Sequence, residues 1–270
     1  MTKLTALDIK KKKQLNEKIT SLTAYDYCLA SIFDEVGIDI ILVGDSMGTV
    51  VYGKPNTLEV TLEMTIKHCQ AVARGAKSHS LIVGDMPFAS FGISVEETVR
   101  NATRIIKEGR AEAVKLEGAS PTRLEEIQAI IDVGIPVQGH IGLLPQQAYK
   151  VGGYKVQGKP GAFWSEEQLL EAAHQLENAG CFSIILEAIP HQVAKKITRE
   201  TRVPTIGIGA GADCDGQVLV CYDMLGLFPG RKPKFVKHYA KLHEVISAAV
   251  KSYIVEVTKG DYPSLEYSYG

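Results

Sequence analysis

Eight short apolar runs, separated by stretches of helical periodicity, restrict what this chain can fold into more than any other feature. They are ITSLTA (19–24), DIILVGD (39–45), SLIVGD (80–85), EAVKLEG (112–118), IPVQGHIG (135–142), FSIILEA (182–188), PTIGIGA (204–210) and QVLVCYD (217–223). Most are continuous rather than alternating, which is how parallel strands buried on both faces read. Between them, Ser94 with Glu97 and Ser165 with Gln168 have capping-box spacing, and Pro121 after Ser120 stands at a first helical position. A period of 3.6 predicts inward faces at Val95, Val99, Ala102 and Ile106, at Leu124, Ile127 and Ile131, and at Leu169, Ala172, Leu176 and Ala179. Eight strands alternating with helices predict an α/β chain folded as a (β/α)8 TIM barrel, a single domain over 1–270 with a short polar N-terminal extension. A doubly wound open sheet is the main alternative.

Charge and cysteine usage narrow the partners. Thirty Lys plus Arg against 31 Asp plus Glu leave a formal net charge of -1, so no field of one sign invites nucleic acid or an anionic membrane. The five cysteines are odd in number, scattered and without a C-x-x-C pair, which fits reduced thiols better than a disulfide framework or a zinc ribbon. The opening MTKLTALDIKKKKQLNEK lacks the apolar core of a secretory signal, and no run of eighteen apolar residues appears. A cytoplasmic protein is expected, with neither nucleic acid nor membrane as a partner.

Polar residues at strand ends are the candidates for chemistry, since in a barrel these ends converge on one face. Asp45 closes the second run with Ser46 next, Asp85 closes the third, Lys115 and Glu117 lie on the fourth, His140 on the fifth and Glu187 near the end of the sixth. A carboxylate closing an apolar strand is costly without a positive partner, and two on neighbouring strands suit a hard cation such as Mg²⁺, which takes carboxylates and leaves positions for water and substrate. Capping of the following helix is the other role open to either aspartate. Lys115 and Glu117, two apart, share one side of their strand. They form either a buried ion pair or part of the site, with Glu117 near the metal and Lys115 on a substrate anion. Glu187, isolated at an apolar strand end, suits a general base, with loop anchoring or capping as its alternative. His140 reads as a hydrogen-bonded core residue or a ligand. The segment 143–164 breaks the rhythm and suits a lid or binding loop, or else a solvated connector. The glycines of IGIGAG (206–211) suit phosphate binding or a tight turn. A divalent ion, a lysine and a free carboxylate together equip a site to make an enolate from a 2-oxo acid.

Several stretches carry a family resemblance: LTAYDY (22–27), ILVGDSMG (41–48), TLEMTIKHCQAVARGA (61–76), DMPF (85–88), AVKLEG (113–118), GIPVQGHIGLLPQ (134–146), GGYKVQG (152–158) and IILEAIP (184–190). With PTIGIGAG, CDGQVLV and DMLGLF further on, the chain resembles the ketopantoate hydroxymethyltransferase family from about residue 18 to about residue 263. The resemblance implies a (β/α)8 barrel, a homodecamer, Mg²⁺, and transfer of a hydroxymethyl unit from 5,10-methylenetetrahydrofolate to 3-methyl-2-oxobutanoate in pantothenate biosynthesis. It also implies that Asp45, Asp85 and Glu117 hold the metal, that Asp45, Ser46, Asp85 and Lys115 contact the oxo acid, and that Glu187 accepts the proton. Met47, Gly84, Ala188 and Ile189 depart from the family's more usual residues without removing a functional group. Two other functions remain open on the residues: a Schiff-base aldolase using Lys115, and a non-catalytic ligand-binding barrel.

Overall fold

In the computed structural model, which describes residues 2–230 and 232–270, each apolar run supplies one strand. They are β1 (Ile19–Thr23), β2 (Ile40–Val43), β3 (Leu81–Asp85), β4 (Ala113–Glu117), β5 (Val137–Gly142), β6 (Ser183–Glu187), β7 (Thr205–Ile208) and β8 (Gly216–Leu219). Every neighbouring pair is parallel and β8 returns to β1, giving a closed barrel in sequence order. The open-sheet alternative is thereby excluded. The eighth run is shorter than the sequence suggests, because Cys221–Met224 turns helical once the apolar run ends at Val220.

The helices in chain order are α1 (Ala6–Gln14), α2 (Tyr27–Glu35), α3 (Met47–Val50), α4 (Leu62–Gly75), α5 (Val95–Lys107), α6 (Pro121–Asp132), α7 (Ala148–Val151), α8 (Glu166–Asn178), α9 (His191–Glu200), α10 (Cys221–Met224) and α11 (Leu242–Lys259). The chain forms two compact units, Met1–Val220 with all eight strands and Cys221–Gly270 with α10 and α11. The expected start signals operate: Ser165 and Gln168 form a reciprocal capping box, Ser94 accepts from Glu97 N, and Pro121 opens α6 behind Ser120. No described helix is long and apolar enough to cross a membrane.

Two helix faces differ from expectation. In α5 the buried residues are Thr98, Ala102 and Ile105, with Val95, Val99 and Ile106 only half-buried. Thr98 turns inward because its hydroxyl donates to buried Glu126 Oε1 at 2.8 Å, an interhelical bond that apolar periodicity does not register. In α6, Glu126 is correspondingly buried beside Ile127 and Ile130, while Leu124 and Ile131 stay half-buried. α8 buries Leu169, Ala172 and Leu176, with Ala179 just beyond its end, as the period predicts.

Alternation along the strands decides what the barrel encloses. Ile19, Ile40, Leu42, Leu81, Val83, Ala113, Ile185, Ile206 and Val218 pack into one apolar cluster. Continuing the period of two along β3, β4 and β6 brings Asp85, Lys115, Glu117 and Glu187 onto that same inward face, nearer the strands' C-terminal ends. The lumen is therefore apolar below and charged above.

The N-terminal segment, expected as a polar extension, folds into α1 and joins that cluster through Ala6 and the fully buried Ile9. Its lysines reach carboxylates and carbonyls: Lys12 Nζ lies 2.7 Å from Asp39 Oδ1, and Lys13 Nζ donates to Asp215 Oδ2 at 2.9 Å and to Thr198 O at 2.8 Å. The basic run, expected only as part of a polar extension, ties the helix to the barrel.

Candidate active site

Strand register builds the charged layer. Asp85 on β3 pairs with Lys115 on β4, and Glu117 on β4 pairs with His140 on β5. Lys115 Nζ donates to Asp85 Oδ1 at 2.6 Å and to Asp85 Oδ2 at 2.7 Å, a bidentate contact between two buried residues. Lys115 thus meets Asp85 across the strands rather than Glu117 along its own strand. His140 lies between two carboxylates, with Nε2 3.2 Å from Glu187 Oε2 and Nδ1 3.6 Å from Glu117 Oε1, neither contact aligned as a hydrogen bond.

Asp45 enters from the turn after β2. Its backbone N–H donates to Asp85 Oδ2 at 3.1 Å, so the two aspartates are neighbours. Asp45 Oδ2 accepts from Gln146 Nε2 at 3.0 Å, and α3 starts at Ser46 without a side-chain cap, so helix capping does not occupy Asp45. Ser46 Oγ and the Tyr25 hydroxyl are 2.8 Å apart. All the sequence candidates at the strand ends, Asp45, Ser46, Asp85, Lys115, Glu117, His140 and Glu187, therefore belong to one region of the barrel.

Burial dominates the protonation equilibria. It raises the Glu187 carboxyl to about 7, with Lys115 opposing and Asp85 reinforcing. Burial also raises Glu117 well above the usual carboxylate range despite Lys115, and it raises Asp45, with the charge of Asp85 adding to the effect. Burial disfavours the Lys115 ammonium, but Asp85, Asp45 and Glu117 outweigh it and hold Lys115 protonated above the ordinary lysine range. Burial and then Lys115 depress His140 well below its ordinary value, leaving it a neutral imidazole. A permanently protonated Lys115 is an anion-binding group and a poor amine nucleophile, which weighs against the Schiff-base alternative.

Four carboxylates with one ammonium leave this layer short of positive charge. Glu117 Oε1 is buried and has no hydrogen-bond partner among the described residues. Unpaired oxygens beside elevated carboxylates are the hard donors that Mg²⁺ takes, so the side chains fit such an ion in charge and donor type. As they stand, with Lys115 on both oxygens of Asp85, no three His, Cys, Asp or Glu side chains among the described residues form a ready metal-holding group.

Gln146 is the residue that strand-end reasoning passes over. It lies on the short 3₁₀ turn Pro145–Gln147, where its N–H donates to Glu117 Oε2 at 3.2 Å while its side chain holds Asp45 and the Met86 carbonyl. Its only sequence signal is its position directly after Pro145, in the loop leaving β5. The same irregular segment brings Tyr154 within the influence of the site: burial, then the charges of Asp45, Glu187 and Glu117, raises its phenol. Gln157 is buried, accepting from Trp164 N at 3.1 Å and donating to Lys155 O at 2.9 Å, so this stretch is internally fastened. In IGIGAG, Gly209 and Gly211 have positive φ (64° and 89°), and a Cβ on Gly211 would lie 2.5 Å from His191 Cβ. Turning and close packing account for those glycines without a phosphate.

Comparisons with known proteins bear on the family and the fold. The family model described as ketopantoate hydroxymethyltransferase matches residues 3–265. A 3-methyl-2-oxobutanoate hydroxymethyltransferase of Syntrophomonas wolfei subsp. wolfei is 51% identical over 269 residues, covering 100% of this chain and 96% of the relative. One of the same name from Clostridium kluyveri is 55% identical over 95% of this chain and 90% of its own. Among solved structures, the phosphoenolpyruvate phosphomutase of Streptomyces platensis subsp. rosaceus superposes with a TM-score of 0.64 at 12% identity, covering 95% of this chain and 88% of that one. 2,3-dimethylmalate lyase, a member of the PEP mutase/isocitrate lyase superfamily, gives 0.58 at 13% identity, covering 99% and 92%. At such identities these structures speak for the fold alone.

Proposed function

Since the chain belongs to the ketopantoate hydroxymethyltransferase family, we propose that it transfers a hydroxymethyl unit from 5,10-methylenetetrahydrofolate to 3-methyl-2-oxobutanoate, giving 2-dehydropantoate for pantothenate biosynthesis. Water supplies the hydroxyl oxygen, so oxo acid, methylenetetrahydrofolate and water balance against dehydropantoate and tetrahydrofolate. The observation that carries this reading is the convergence of Glu187, Lys115 and the carboxylates Asp45, Asp85 and Glu117 at the upper end of one barrel lumen.

Each side chain has a task that its surroundings support. Lys115, held protonated, meets the anionic end of the oxo acid, and Ser46 adds a hydroxyl donor to the same ligand. Asp45 and Asp85 complete the oxo acid pocket and, with Glu117, would hold Mg²⁺. Bound there, Mg²⁺ supplies Lewis acidity that polarises the ketone. Glu187 takes the proton from C3, and its carboxyl, raised to about 7 by burial, is matched to a carbon acid near neutrality. Water releases the methylene carbon from the folate as formaldehyde, both of its C–N bonds breaking to leave tetrahydrofolate. The C3 carbanion, delocalised into the carbonyl, then adds to the formaldehyde carbon, and the resulting alkoxide takes back the proton held by Glu187 to become the hydroxymethyl group. Neutral His140 beside Glu187 and Glu117 separates two acidic groups without adding charge.

The direct test is to supply the purified protein with oxo acid, 5,10-methylenetetrahydrofolate and Mg²⁺ and follow 2-dehydropantoate by NMR. Product is expected only when all three are present. Binding of the oxo acid with neither product nor exchange of its C3 hydrogen would instead identify a non-catalytic ligand-binding barrel. The family further suggests a homodecamer working in the cytoplasm, which sedimentation and cell fractionation test.

A further inference from the structure

Beside the charged layer lies a cavity of about 250 Å³ whose walls include Phe88, Phe91, Glu117, Arg123, Gln146 and Gln147. We propose that it seats the reduced pterin ring of the one-carbon donor, stacked against Phe88, with the amide oxygens of Gln146 and Gln147 accepting from the ring's amino and N–H groups. This rests on the proposed function and assigns the second substrate its place.

Three observations converge on that occupant. First, Gln146 Oε1 and Gln147 Oε1 are buried acceptors with no hydrogen-bond partner among the described residues, and both residues line this cavity. A buried acceptor left unpaired is costly, so the cavity calls for a ligand rich in N–H donors. A 2-oxo acid anion offers only acceptor oxygens, whereas the amino-pyrimidinone edge of a pterin presents several N–H groups on one side. Second, the lining includes two aromatic rings, Phe91, which is buried, and Phe88, which is 50% exposed. Such a face suits a flat ring. Third, the cavity is held in shape without a ligand. Arg123 lies over the Phe91 ring at 3.9 Å and donates from Nε to the Glu117 carbonyl at 2.9 Å, while Glu126 accepts from Gly92 N at 2.7 Å and pairs with Arg123. Glu117 is common to this cavity and to the acidic layer, so a ring seated here lies next to that layer. A second cavity, about 310 Å³ beside Asn56, Tyr149 and Tyr154, fits less well, because its Asn56 amide and Tyr149 hydroxyl already meet at 3.3 Å.

The test is steady-state kinetics on Phe88→Ala and Gln147→Leu, varying 5,10-methylenetetrahydrofolate and oxo acid separately, beside folate-free C3 hydrogen exchange. Phe88→Ala should raise KM for the folate about tenfold, the scale of one lost stacking contact. Gln147→Leu should raise it about threefold to tenfold. KM for the oxo acid and the exchange rate should not follow. Folate KM within about twofold of wild type in both variants overturns the assignment, as does a parallel rise in both KM values. Wild-type protein that exchanges the C3 hydrogen yet forms no product with the folate overturns the folate reading itself, and the subsite with it.

Discussion

Replacing Glu187 by Gln should cost activity and add stability, and both effects come from the same burial. Glu187 has a side chain 17% exposed and a carboxyl raised from 4.5 to about 7, chiefly by burial. A carboxyl whose folded pKa lies above its unfolded value binds more protons when folded. The fold is therefore weakened as pH rises through the window from 4.5 to about 7, and the deficit persists above it. At about 1.36 kcal/mol per pH unit, that elevation corresponds to roughly 3 kcal/mol. Gln has nearly the same shape and does not titrate. Urea unfolding in the presence of a chelator should show Glu187→Gln more stable than wild type by up to about 3 kcal/mol near pH 8, with the gap shrinking to roughly a quarter of that near pH 5 and nearly closed near pH 4. In the same variant, exchange of the C3 hydrogen of 3-methyl-2-oxobutanoate into D₂O should fall by about 10²- to 10⁴-fold, the usual share of a general base. The wild-type exchange rate should drop about tenfold for each pH unit below the Glu187 midpoint, because only the ionised base accepts a proton. A stability gap independent of pH, or exchange surviving near the wild-type rate, would refute the assignment of Glu187 as a buried base.

Other perturbations test the framework around it. Lys115→Met leaves Asp85 buried without its ammonium and should destabilise the chelated protein by about 3–5 kcal/mol in urea unfolding, with Asp85→Asn in the same chain recovering part of the loss. A Cβ on Gly84 would lie 2.5 Å from Ile105 Cγ2, so Gly84→Ala should cost about 1–3 kcal/mol. A double-mutant cycle with Ile105→Ala should show the pair costing less than the sum of its singles, whereas strict additivity would place the strain elsewhere. Ile9→Ala removes a fully buried contact between α1 and the lumen cluster and should cost about 2–5 kcal/mol of unfolding free energy, with KM for the oxo acid unchanged.

The strands and the candidate site were legible for one reason. An apolar run that ends in Asp85, Glu117 or Glu187 states both where a parallel strand lies and which end of it meets solvent or substrate. What escaped depends on relations between segments. A single strand shows that Lys115 and Glu117 share a side, but only the register of β3 against β4 shows that Lys115 belongs to Asp85. The burial of Thr98 follows from Glu126 on another helix, so apolar periodicity placed the inner face of α5 one residue off. Gln146 acts from an irregular loop, where no period exists to reveal which way a side chain points. The lysines of α1 read only as part of a polar extension until Asp39 and Asp215 are brought beneath them by the closed barrel.

The most direct measurement is C3 hydrogen exchange of 3-methyl-2-oxobutanoate in D₂O, followed by NMR on the folate-free protein, first with a chelator and then with Mg²⁺ restored. If the upper lumen binds the ion and the oxo acid together beside Glu187, exchange is absent with the chelator, returns with Mg²⁺, and fails to return in Asp45→Ala. Exchange that proceeds undiminished under the chelator would contradict a divalent ion at Asp45, Asp85 and Glu117.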